Sequence, residues 1–136
     1  MMHRAAFLAT LSLLLASTLA QAQQEPDTDA FNGKWNVRID AGSGHARTAT
    51  LTLVNWAGTW VATSLPNGPR SKVCIGRKLP VTVQVSQAAT LEFTAWGAQI
   101  ATACPDLNMV LRPVSEKVLE GSLSTGETVT LTRRPR

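Results

Sequence analysis

From Phe31 to Arg133 apolar side chains fall at every second position in run after run, and this spacing constrains the fold more than any other feature of the chain. Trp35, Val37 and Ile39 alternate with Lys34, Asn36, Arg38 and Asp40. Ala49, Leu51 and Leu53 alternate with Thr48, Thr50 and Thr52, and Leu91, Phe93 and Ala95 with Thr90, Glu92 and Thr94. Successive side chains of a strand project to opposite faces, so each run describes a strand with one dry face and one wet face. Val81, Val83 and Val85, then Leu107, Met109 and Leu111, then Leu119 and Leu123, then Val129 and Leu131 continue the pattern. Beyond residue 22 no stretch keeps a helical period for three turns.

Turn formers separate the runs: Gly42-Ser43-Gly44, Ala57-Gly58, Pro66-Asn67-Gly68-Pro69, Gly97, Pro105-Asp106 and Thr125-Gly126. The gaps are too short for the crossovers of about a dozen residues that parallel pairing requires. The expected fold is all-β, an antiparallel meander of roughly eight to ten short strands. Closure into a small barrel, complete or nearly so, is favoured because an open sheet of so many adjacent strands would expose its edges. An eight-stranded barrel is wide enough either to fill itself with side chains or to hold one small ligand.

Residues 1–22 have the pattern of an export leader. Arg4 lies in a short basic start, residues 5–20 are mostly apolar and rich in leucine, and Ala20-Gln21-Ala22 offers a small-x-small cleavage site. Thr10, Ser12, Ser17 and Thr18 dilute the apolar run relative to the roughly 20 apolar residues of a spanning helix. The expected product is periplasmic or secreted, with no transmembrane segment after cleavage. Residues 23–30 are polar and acidic and read as a flexible lead-in, and residues 31–136 as a single domain.

Export bears on the two cysteines, Cys74 and Cys104, which it places where disulfides persist. One bridge is expected; closing a loop of about 30 residues stabilises by roughly 3.5 kcal/mol on the chain-entropy model. The formal net charge of +4, part of it carried by Arg4 in the leader, is too mild for a nucleic-acid binder.

Gly33-Lys34-Trp35, at the start of the first strand run, resembles the Gly-x-Trp opening of the calycin barrels, the group that includes lipocalins, avidins and some small bacterial protease inhibitors. Arg133 shares the strand parity of Val129 and Leu131, and the lipocalin resemblance implies that it packs over Trp35 and closes one end of the barrel. A cation–π contact of this kind contributes roughly 0.5–2 kcal/mol. The avidin likeness stops at the ligand, because Val37 stands where avidins carry a biotin-contacting asparagine and Ala41 where they carry a serine. The protease-inhibitor likeness implies a tail-driven mode of action through residues 23–30, and the placement of Cys74 and Cys104 departs from that family.

Candidate chemistry is sparse. His45 is the sole histidine beyond the leader and stands in a glycine turn, without the elbow motif of a serine hydrolase. Asp40, Glu92, Glu116, Glu120 and Glu127 fall on expected outer faces or turns. No phosphate loop, zinc-ligand spacing or cofactor motif is present, so no enzyme, metal or cofactor is expected.

Two features point to a surface. Trp56, Trp60 and Trp96 are prominent in a chain with no tyrosine, and Trp56 and Trp96, beside turn glycines, are placed near a barrel mouth. Arg70, Lys72, Arg77 and Lys78 cluster around Cys74 and would attract an anionic ligand, the envelope or an acidic protein patch. The expected function is an exported, non-enzymatic binding module that engages a small molecule or an envelope partner. The alternatives are an inhibitor of an exported hydrolase and a structural envelope protein with a filled barrel.

Overall fold

A computed structural model describes residues 29–42, 44, 46–64, 71–87 and 89–136. Residues 1–28, which hold the expected leader and most of the expected lead-in, with Ser43, His45, residues 65–70 including Arg70, and Ala88, lie outside the described residues. After a short 3-10 turn at Asp29–Phe31 come eight strands: β1 (Gly33–Asp40), β2 (Ala46–Val54), β3 (Ala57–Ser64), β4 (Lys78–Gln87), β5 (Thr90–Ala95), β6 (Leu107–Ser115), β7 (Val118–Leu123) and β8 (Thr128–Arg133). Each pairs antiparallel with its neighbours in sequence, and β8 returns to β1, so the sheet closes into an up-and-down barrel.

The alternation sets the register. Trp35 stands opposite Leu51 and Leu51 opposite Trp60, so dry faces meet dry faces around the wall. Leu51, Leu91, Phe93, Met109, Leu111, Val129 and Leu131 are wholly shielded from solvent. At about 25 cal/mol per Å² of apolar surface, this interior is the main source of stability.

Two features depart from what the sequence leads one to expect. Ala57 and Gly58 were expected in a turn and instead open β3. The turn falls one step earlier, where Asn55 takes a φ of 56°, a conformation asparagine tolerates better than most residues. Asn32 holds this turn through its side chain, whose Oδ1 accepts from the Asn55 backbone N–H at 2.6 Å. Gly58 is required for a different reason: a Cβ there would lie 2.1 Å from the Thr52 carbonyl oxygen.

The second departure is in β4. Val85 was expected to face inward with Val81 and Val83, but the pairing shifts between Val83 and Val85, leaving Gln84 as the extra residue of a bulge. The shift reverses the faces beyond it. Ser86 turns inward, opposite Leu91, and Val85 is only half-buried. Further bulges interrupt the β2–β3 pairing beside Thr48 and the β6–β7 pairing beside Pro113, where a residue without an N–H is tolerated.

One end of the barrel is sealed. Trp35 and Arg133 are directly opposed across β1 and β8, and the guanidinium carbon lies 4.2 Å from the indole ring centroid. Arg133 Nη1 and Nη2 donate to the carbonyls of Asn32 and Ala30, each at 2.6 Å, while the Trp35 N–H donates to the Phe31 carbonyl at 3.0 Å. Gly33 makes the approach possible, since its φ is +129° and a Cβ would meet Arg133 Nη1 at 3.0 Å. Replacing Arg133 with Ala removes the cation–π contact and leaves the carbonyls of Ala30, Asn32 and Glu116 without their charged donor. The expected loss is about 2 kcal/mol, roughly 10 °C in melting temperature. An unchanged midpoint in thermal or urea unfolding would show that Arg133 closes nothing.

Candidate functional site

Among the described residues the opposite end is open. There β1, β3, β5 and β7 finish and β2, β4, β6 and β8 begin, and a cavity of about 240 Å³ sits among Ile39, Arg47, Ala49, Trp60, Ala62, Ser64, Leu79 and Leu107. These positions follow from strand parity. Arg47 continues the inward series of Ala49, Leu51 and Leu53, and Ile39, opposite Arg47 in the register, continues that of Trp35 and Val37. Trp60, 1 % exposed, forms the floor and lies 6.4 Å from Phe93 between ring centroids. Ile39, Ala49 and Leu79 belong to the same buried apolar cluster as Trp60 and the interior below it, and Leu107 packs against that cluster.

One wall of the cavity comes from connections rather than strands. Cys74, after β3, is bonded to Cys104, after β5, and both line the cavity together with Ala103 and Pro105. The bridge spans 30 positions of sequence and holds the two connections with their Cα atoms 5.6 Å apart. Cys104 is buried, and the connection it belongs to is fixed further by the Ala98 N–H donating to Asp106 Oδ1 at 3.0 Å.

Polar groups gather on the β2–β3 side. The bulge beside Thr48 brings Ser64 back toward β2, where its Oγ accepts from the Thr48 N–H at 3.0 Å and meets Thr48 Oγ1 at 2.8 Å. Arg47 is the charged residue among the described cavity lining, and its Nη2 donates to Glu127 Oε2 from the β7–β8 turn. The two side chains are 20 % and 27 % exposed, so the pair is shielded from bulk water more than a surface ion pair is. Among the described residues no three His, Cys, Asp or Glu side chains group so as to hold a metal ion. No helix of the described residues is long and apolar enough to cross a membrane.

Of the sequence-derived surface residues, the structure places Trp60 in the cavity and disperses the others. Trp56 is 42 % exposed on the β2–β3 turn, at the sealed end, and its carbonyl accepts from Val83 N–H. Trp96 follows β5 but lies against the outer wall, its N–H donating to Thr82 Oγ1 at 3.0 Å. The mouth position expected for Trp56 is therefore corrected, while Trp96 stands beside the open end but on the outer wall: a turn glycine nearby does not say at which end, or on which face, a tryptophan lies. Lys72, Arg77 and Lys78 are exposed beside the bridge, with Arg77 Nε donating to the Val73 carbonyl at 2.7 Å, and none lines the cavity. Arg47 and Leu79 did not stand out in the sequence, and Ile39 and Leu107 were expected as inward strand positions but not as part of a site. Their signal was strand parity carried to the strand ends.

No family model and no curated protein sequence matches the chain. Among solved structures, a redesigned β-barrel, b11L5F_LGL, aligns over 79% of this chain and 95% of its own length at 16% identity, with a TM-score of 0.50. A second redesigned barrel, mFAP1 bound to DFHBI, aligns over 82% of this chain and all (100%) of its own at 12% identity, with a TM-score of 0.45. At 16% identity the likeness to b11L5F_LGL is one of fold.

Proposed function

We propose that this chain is an exported, non-enzymatic binding module, a calycin-like barrel that takes a small apolar molecule in the cavity at its mouth. One observation carries the proposal: a barrel sealed at the Trp35–Arg133 end keeps a concave, largely apolar space of about 240 Å³ at the other. A side-chain-filled barrel would have no such space, which weighs against a purely structural role. The apolar walls supply affinity and the few polar groups on one side supply orientation, the usual division of labour in small-molecule sites. The leader-like residues 1–22 support export, and the Gly33-Lys34-Trp35 opening supports the calycin kinship.

The size limits the ligand. A dry apolar cavity of about 150 Å³ accommodates benzene, so this one suits a molecule of one or two rings. For such a ligand, of about a dozen heavy atoms, roughly 6 kcal/mol of binding energy is expected, a Kd of tens of micromolar. Titrating two-ring aromatics against the oxidised chain should give saturable 1:1 quenching of tryptophan fluorescence. In Trp60→Phe most of that signal should vanish while NMR shifts of the Ile39, Ala62 and Leu79 methyls still saturate. Quenching without saturation, or shifts centred on Trp56 instead, would remove the cavity as the binding site.

A further inference from the structure

We infer that Glu127 makes this cavity selective for uncharged ligands bearing a hydrogen-bond acceptor, by occupying the arginine that would otherwise draw anions in. The inference rests on the cavity being the binding site proposed above. Arg47 faces into the cavity from the first inward position of β2. An unpartnered guanidinium there, beside an apolar floor, would be an anchor for an aromatic carboxylate. It is not unpartnered: Glu127, 80 positions away in sequence, accepts from its Nη2. Glu127 does not itself line the cavity, so the space meets the arginine with its charge already balanced.

The consequence follows from desolvation. A carboxylate entering the cavity gives up its hydration and meets Arg47 with Glu127 next to it, so the attraction of the cation is offset by repulsion from the acid. A ketone or ether oxygen loses far less on leaving water. It needs one N–H, and a guanidinium has five, of which one is directed at Glu127 among the described contacts. Thr48 and Ser64, the nearest hydroxyl-bearing side chains of the lining, are engaged with each other across the bulge. A positively charged ligand fares no better than an anion, since Arg47 and not Glu127 is the member of the pair that the cavity exposes.

The test uses three matched probes, 2-acetonaphthone, 2-naphthoate and naphthalene, titrated against the full-length mature chain by calorimetry and NMR. For the wild type the ketone is expected to bind about tenfold more tightly than the carboxylate, and more tightly than the hydrocarbon. In Glu127→Gln, which keeps the shape and a hydrogen-bond acceptor but removes the charge, 2-naphthoate should gain about tenfold while the ketone changes by no more than about threefold. Equal affinity of ketone and carboxylate for the wild type overturns the inference and leaves the cavity proposal standing, as does a Glu127→Gln variant that melts normally and keeps its discrimination against the carboxylate. If none of the three probes saturates, the binding-site proposal itself fails and the selectivity inference with it. Should Glu127→Gln not fold, the wild-type comparison of the three probes still decides.

Discussion

Replacing Gly121 with Ala is expected to cost at least about 3 kcal/mol, more than a methyl group usually costs on a strand, and to leave little folded protein at 37 °C if the barrel has ordinary stability. Gly121 sits in β7 with the inward parity of Leu119 and Leu123, paired with Leu111 on one side and Val129 on the other. A Cβ there would lie 1.9 Å from the Val110 carbonyl oxygen and 2.8 Å from both the Val110 carbonyl carbon and the Leu111 Cα. All three are backbone atoms of β6, so no rotamer change relieves the overlap. The strand pairing itself must move, and in a closed barrel a shift at one seam is passed to the next. Gly126→Ala is the control. Its φ of +95° strains any other residue, but nothing lies within 4 Å of the added atom, and a loss of about 1 kcal/mol is expected. Urea unfolding of the two variants checks the contrast, and equal losses would mean that crowding at β6–β7 is not what requires glycine.

Removing the disulfide as Cys74→Ala/Cys104→Ala is expected to lower stability by about 3.5 kcal/mol and to weaken the proposed binding of 2-acetonaphthone at least tenfold, as two separable effects. The first comes from the unfolded chain, which regains the freedom of a loop of about 30 residues. The second comes from the folded state, because Cys74 and Cys104 are part of the cavity wall and their bridge keeps the β3–β4 and β5–β6 connections together over the mouth. The sealed end does not depend on the bridge. The Trp35–Arg133 contact is built by β1 and β8, so near-ultraviolet circular dichroism of the folded double variant should keep its tryptophan signal. Calorimetric titration with 2-acetonaphthone, beside urea unfolding, measures both losses. A variant that binds as tightly as the wild type would show that the bridge is a staple for folding and not a part of the site.

The wall was legible in the sequence and the site much less so. Alternation at Trp35, Leu51, Phe93 and Leu131 identifies strands and their inner faces because the period of two is a local property, written in the order of side chains. The same alternation mispredicted Val85, since one extra residue at Gln84 inverts every face beyond it and no local pattern marks the bulge. The turn at Asn55 was readable in principle, because asparagine accepts a positive φ, but the glycine at position 58 drew the turn toward itself. That glycine answers to the Thr52 carbonyl, an atom of the neighbouring strand. Arg47 could have been found by carrying the parity of Ala49 and Leu51 one step outward. Its partner Glu127 could not, because the pair forms across the mouth of the closed barrel between β2 and the turn before β8.

What the amino-acid order determined by itself was an antiparallel, all-β chain with named inward faces and a single pair of cysteines to join. These follow from side-chain periodicity and from turn chemistry, each of which acts within a few residues. The closure at Trp35 and Arg133 was implied by the lipocalin resemblance and is present in the fold, whereas only the tertiary structure decided where the bulges fall and that a cavity remains. Closure brings Arg133 to the Asn32 carbonyl across 101 positions and Arg47 to Glu127 across 80. The cavity is the volume left over at the mouth when the inward side chains of the strands and the two bridged connections have been placed, and a leftover volume is a property of the whole barrel, carried by no segment of the chain.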